Sequence, residues 1–138
     1  DKDTTGLMIF AKNRLAASKI SKLFLNNKIH KFYIAATNKL FKKPSGLLNN
    51  TNAENKNLKL LFRRIHLNNL TNTYLIKLLT GKKHQIRLQF FLNDNPIIGD
   101  RKFNIKSKSD LQLSSISLIF VYEGKFYKFK LGLNQIFQ

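Results

Sequence analysis

Apolar residues in this chain come in short runs, and almost every run is closed by Asn, Gly or Pro before it could grow into a long helix. That pattern favours hairpins over bundles. Leu7–Ala11 reads as a buried strand, and Lys31–Thr37 as another. Leu58–His66 and Thr73–Leu79 read as a long hairpin turning near Asn68-Asn69. Leu111–Tyr122 and Lys125–Leu131 flank Glu123-Gly124, a good turn because Gly tolerates positive φ. Helical spacing is confined to two places. In Arg14–Asn26, Leu15, Ile20, Leu23 and Phe24 fall near one face; in His84–Leu92, Ile86, Phe90 and Leu92 point one way. Asn38–Asn57, with Pro44, Ser45 and Gly46, reads as loop, as does Asn93–Asp100; Lys102–Asp110 is polar and expected to be mobile. The expected class is α+β, with a mixed, mostly antiparallel sheet and flanking helices. The 138 residues fit one domain with an ordinary core.

Charge bounds the partner. Lys plus Arg number 25 against 7 Asp plus Glu, a formal net charge of +18. Such an excess strains the folded state through self-repulsion and is usually matched by a polyanion, most often nucleic acid. No apolar run approaches the ~20 residues that a membrane helix needs, so no membrane partner is expected. There is no Cys, which removes disulfides and thiolate metal sites. His84, spaced as it is from His66 and His30, matches no metal-ligand pattern. Gly81-Lys82-Lys83 lacks the glycine spacing of a phosphate loop.

Three segments carry the reactive polar groups: Asp1-Lys2-Asp3-Thr4-Thr5-Gly6, then Lys31-Phe32-Tyr33-Ile34-Ala35, then Thr80-Gly81-Lys82-Lys83-His84-Gln85-Ile86-Arg87. Taken singly, each has a plain structural reading as a turn, a core strand and a solvated helix start. Physics alone stops at a basic, nucleic-acid-binding α+β domain.

Together, in this order, they resemble the RluA-type family of RNA pseudouridine synthases. That family's catalytic motif reads His-Arg-Leu-Asp, two variable residues, Thr, Ser or Thr, Gly, then an apolar strand and Ala-Lys; this sequence begins at the Asp and runs to Ala11-Lys12. Lys31-Phe-Tyr33-Ile-Ala35 is similar to the family's Lys-x-Tyr-x-Ala. Thr80–Arg87 resembles Thr-Gly-Arg-x-His-Gln-Ile-Arg, with Lys82 where Arg is common. Asn95-Pro96-Ile97-Ile98-Gly99-Asp100 resembles the Pro-Ile/Leu-x-Gly-Asp that follows. Near the C-terminus, the family's Leu-His-Ala-x-x-Leu-x-Phe becomes Leu113-Ser114-Ser115-Ile-Ser-Leu118-Ile-Phe120.

The resemblance implies a pseudouridine synthase catalytic domain over residues 1–138, its N-terminal part missing, that isomerises uridine to pseudouridine without cofactor or metal. It implies Asp1 as the catalytic carboxylate, Arg87 as the cation that keeps it charged, and Tyr33 against the flipped uracil as candidate base. Leu118, or a neighbour on its strand, would close the apolar side of the pocket. Lys31, His84 and Gln85 would bind substrate. The implied partner is RNA, large-subunit rRNA before tRNA, met by a monomer in a bacterial cytoplasm or, second, in an organelle. The alternative is a non-catalytic RNA-binding relative acting in ribosome assembly.

Overall fold

The computed structural model describes residues 1–65, 72–103 and 109–136. Seven strands form one sheet: β1 (Thr5–Gly6), β2 (His30–Thr37), β3 (Ser45–Thr51), β4 (Asn57–Ile65), β5 (Asn72–Leu78), β6 (Leu113–Tyr122) and β7 (Lys125–Lys130). The order across the sheet is β1-β6-β2-β5-β4-β3, with β7 also on β6. Every pairing is antiparallel except β1 with β6. Helices α1 (Arg14–Leu25) and α2 (Gln85–Leu92) complete the α+β architecture expected from the sequence.

The main core lies between the sheet and α2. Phe90 of α2 is fully buried, and Tyr74 and Phe90 both meet Phe41 edge-on, ring centroids 5.1 Å apart in each case. Leu60, Ile76, Ile86 and Ile97 are buried in the same core, each burial contributing roughly 1.5–3 kcal/mol. A smaller cluster of Ile29, Leu118 and Phe120 lies under Ile20 and Leu23 of α1. Helix α1 starts at Asn13, whose side chain accepts from the Ala16 N–H at 2.9 Å, an N-cap worth about 1 kcal/mol.

Four expectations need correction. The expected strand at Leu7–Ala11 is only the two-residue β1, one step earlier, and Met8 and Phe10 are 66% and 82% exposed. The physical reason is a lack of edge: β1 pairs with Ser114 and Ser115, and from Ser117 onward that side of β6 belongs to β7. The region 38–57 is not all loop, because β3 pairs with β4 along seven residues. Its Asn-rich sequence hides an edge strand that buries Leu48 and leaves Leu47 in solvent. On α1, Leu15 and Phe24 are exposed, so its contact face is narrower than the spacing suggests. On α2, Leu92 is also exposed. The Asn68-Asn69 turn lies outside the described residues, as does most of the segment expected to be mobile, at 104–108.

Candidate active site

Asp1 reaches the site through a turn that is pinned at its far end. The Thr4 N–H donates to the Asp1 carbonyl at 3.2 Å, and Thr5 and Gly6 then lie parallel to Ser114 and Ser115. The Thr5 hydroxyl adds a 3.4 Å bond to the Leu113 carbonyl. Gly6 has φ +102°, and a Cβ built there would stand 2.2 Å from the Ser115 carbonyl oxygen. Only Gly fits. Gly6→Ala should therefore push β1 off β6, at a cost of at least about 1–3 kcal/mol. Urea denaturation together with amide chemical shifts of Asp3–Leu7 will test this; a variant with wild-type stability and unshifted amides would show that the strand pair does not anchor the Asp1 turn.

Helix α2 supplies the other half. Its first residues carry Gln85 and Arg87, both buried, and it is entered through His84 in the left-handed region at φ 54°. A non-Gly residue there is under strain, and His84 does not use its side chain to cap the helix. Instead its Nδ1 lies 3.0 Å from Oδ2 of Asp1. Burial lowers the His84 pKa, and the cationic side chains of Lys102, Arg87 and Lys83 lower it further. The ring is therefore neutral at pH 7, and its Nδ1–H donates to the carboxylate as a hydrogen bond rather than an ion pair.

Arg87 is the centre of the cluster. Its side chain is 3% exposed and meets three carboxylates. Nη1 donates to Asp1 Oδ2 at 2.7 Å. Nε and Nη2 donate to the two oxygens of Asp100 at 3.0 and 2.7 Å, the two-pronged geometry that suits guanidinium. Asp3 stands 3.6 Å from Nη1. Asp100 is 1% exposed, and the Lys102 and Phe103 N–H groups also donate to it. Gly99, at φ +80°, brings it there: a Cβ at that position would sit 1.8 Å from the Asp110 carbonyl oxygen.

Asp1, His84 and Arg87 line a pocket of about 260 Å³ with Tyr33, Thr5, Leu113 and Ser115. Tyr33 enters from β2 opposite Ser115 of β6. Burial raises the phenol pKa above its ordinary value, and Ser115 partly opposes that. Lys82 and Lys83 stand on the pocket wall as well.

The structure brings Asp1, Tyr33, His84 and Arg87 together as the sequence predicts, but three predicted residues are placed differently. Leu118 is not on the pocket. It lies in the smaller cluster with Ile29 and Phe120: β6 sets it opposite Lys31, further along the strand, whereas Ser115 stands opposite Tyr33 at the pocket. Lys31 is buried behind the loop, its ammonium close under Gly81 and 5.9 Å from the Phe24 ring, and burial lowers its pKa. Gln85 borders the pocket, but its polar atoms are spent on the protein: Oε1 accepts from the Thr80 hydroxyl and the Lys82 N–H, and Nε2 donates to the Lys59 carbonyl and Gln89 Oε1. It positions the loop rather than a ligand. The residues that sequence reasoning passed over are Asp100, which aims Arg87, and Ser115. Asp100 stood within the Asn95–Asp100 motif without a role attached; Ser115 gave no signal at all.

Comparison with known proteins bears on this geometry. A family model described as RNA pseudouridylate synthase matches residues 1–91. The chain belongs to the RNA pseudouridylate synthase family. Members of the family with related sequences include an uncharacterized RNA pseudouridine synthase of Mycoplasma capricolum, 32% identical over 82% of this chain and 42% of that protein. Another, of Haemophilus influenzae and described in the same words, is 31% identical over 91% of this chain and 62% of its own. The ribosomal large subunit pseudouridine synthase D of Blochmanniella floridana is 32% identical over 80% of this chain and 40% of its own. The chain thus spans 42% and 62% of the length of the first two relatives. Among solved structures, human RNA pseudouridylate synthase domain containing 4 superposes with a TM-score of 0.81 over 98% of this chain and 69% of that one, at 18% identity. At that identity the likeness shows the fold of the family, and the fold described above is that one.

Proposed function

We propose that the protein of which this domain is part isomerises uridine to pseudouridine in RNA, with Asp1, Tyr33 and Arg87 as its catalytic residues. The observation that carries the reading is the shared ionic contact of Asp1 and Asp100 with one buried Arg87 at the wall of a pocket that also holds a half-buried phenol. A carboxylate held by a buried cation is kept in its charged form beside a partly dry cavity. Of its two oxygens, Oδ2 accepts from both Arg87 and His84, whereas among the described residues Oδ1 accepts a single 3.3 Å bond, from the Asp3 N–H. Oδ1 is therefore the freer oxygen to assist at a sugar carbon, as carboxylates do in glycoside cleavage.

The chemistry then balances within the substrate. The bond from uracil N1 to C1′ breaks with its electron pair on N1, the base turns, and C5 bonds to C1′. C5 loses a proton and N1 gains one, so nothing is consumed. Tyr33, a phenol at neutral pH whose pKa burial raises further, is the group beside the base that relays the proton. A uridine paired or stacked in RNA cannot enter such a pocket and must be flipped out. Large-subunit rRNA is the substrate we favour over tRNA, supported by relatives named large-subunit enzymes C and D. The non-catalytic alternative gains no support from a site in which all three reactive residues converge.

The test is to incubate the full-length protein with rRNA fragments and with tRNA, then locate pseudouridine by its specific chemical label. Product in rRNA is expected, and none in either RNA would end the reading. Affinity should also fall steeply with salt: with roughly six phosphate contacts the loss between 50 and 200 mM is about a thousandfold. A flat salt profile would remove charge as the basis of RNA binding.

A further inference from the structure

Ser115 is out of place for a core strand. It is 5% exposed, and its hydroxyl has no hydrogen-bond partner among the described residues. A buried, unpaired hydroxyl is costly, and folded proteins seldom keep one without a use. It lines the active pocket and is the direct cross-strand partner of Tyr33, in a pair whose side chains leave the same face of the sheet. The irregular register between Phe32 and Tyr33 is what sets those two residues opposite one another. The hydroxyl stands near the phenol without making a formed hydrogen bond to it, and its influence runs against that of burial.

We propose that Ser115 is a positioning residue for the isomerisation, whose hydroxyl turns to donate a hydrogen bond to the Tyr33 oxygen while that oxygen carries negative charge. The inference rests on the reading of Tyr33 as the proton relay. In the resting phenol, the Tyr33 oxygen has little demand for a second donor, and the Ser115 hydroxyl stays unpaired. When the phenol has given its proton to uracil N1 as the N1–C1′ bond breaks, the oxygen is an anion in a partly dry cavity. A donor already within reach then stabilises it more than water could. The phenolate next accepts the proton leaving C5 and returns to phenol, so Ser115 itself ends the cycle unchanged. The other titratable groups on the pocket are Asp1, Lys82, Lys83, His84 and Arg87. The Lys31 side chain is buried behind the Gly81 loop, outside the pocket lining. None of them is altered by the variants below.

Three variants separate this role from packing. Ser115→Ala removes the hydroxyl, Ser115→Thr restores it, and Ser114→Ala removes an equally buried, equally unpaired hydroxyl from the next position, which does not line the pocket. The first measurement needs no turnover: titration of Tyr33 followed by NMR of 13Cζ-labelled tyrosine, assigned with Tyr33→Phe. In Ser115→Ala the Tyr33 midpoint should rise by about one pH unit, the scale of one hydrogen bond to a charged group. Ser115→Thr should restore it and Ser114→Ala should leave it alone. The second measurement is turnover of the full-length protein: Ser115→Ala should lower kcat roughly tenfold with KM little changed, and move the rate profile to higher pH. A Tyr33 midpoint that does not move in Ser115→Ala, or that moves equally in Ser114→Ala, overturns the inference whether or not pseudouridine is formed. A midpoint that moves as expected in a protein that forms no pseudouridine supports the pairing and counts against the proposed function instead.

Discussion

Arg87→Met will be among the most destabilising single changes that this domain can carry, at roughly 3–5 kcal/mol. Few domains have more than about 5–15 kcal/mol in total. The side chain it replaces is 3% exposed and holds Asp100, 1% exposed, by two hydrogen bonds, and Asp1 by a third. Methionine fills much of the space but leaves the carboxylates facing one another without a cation. The loss therefore comes less from forgone attraction than from buried charge left unpaired. Pairing the change with Asp100→Asn removes one of those charges and keeps an acceptor for the Lys102 and Phe103 N–H groups. The double variant should recover at least half of the lost stability in urea denaturation and none of the lost turnover. An Arg87→Met protein within about 1 kcal/mol of wild type would mean that the three carboxylates do not depend on this cation.

Asp1→Asn separates chemistry from binding. The amide keeps the size of the carboxylate and can still accept from Arg87 and His84, so the fold and the pocket should persist. What it lacks is the charge to assist at C1′. Pseudouridine formation by the full-length variant should fall by roughly a thousandfold or more, within the range that a positioned reactive group contributes. RNA affinity should stay within a few fold of wild type, because phosphate contacts by lysines such as Lys82 and Lys83 carry it. Turnover within tenfold of wild type would remove Asp1 from the reaction, and a parallel collapse of binding would recast it as a structural residue.

How legible this site was depended on where the information lies. Asp1, Tyr33, His84 and Arg87 were readable because the motifs that carry them resemble those of a known family; nothing local foretells their meeting, since Asp1 lies 83 positions from His84 and 86 from Arg87. The hairpin of β6 and β7 was readable from Glu123-Gly124, both of which adopt positive φ. The rest was set by partners distant in the chain. β1 is two residues long because β7 occupies the adjoining edge of β6, and no local pattern in Leu7–Ala11 encodes that. β3 is an edge strand whose Asn residues read as loop until β4 pairs with it. The register shift between Phe32 and Tyr33 sets Ser115 rather than Ile116 opposite Tyr33 at the pocket, while Leu118 stands opposite Lys31 outside it, and no local pattern in β6 encodes that. Gln85 reads as a ligand for substrate from the motif it stands in; its four hydrogen bonds go to the backbone at Lys82 and Lys59 and to the side chains of Thr80 and Gln89.

Those same four bonds fix more than a loop. Gln85 grips the backbone at Lys82 from inside while Thr80 ties back to the N–H of Lys59, so the segment bearing Lys82 and Lys83 is clamped to two different elements. A cationic arm on a loose loop can follow any polyanion, but here both lysines spring from a platform whose backbone is held on the wall of the pocket that Asp1 lines. On the function proposed above, such a platform favours RNA whose backbone already bends so that phosphates fall beside an extruded nucleotide, a selection made by the curvature of the strand rather than by the letters it carries.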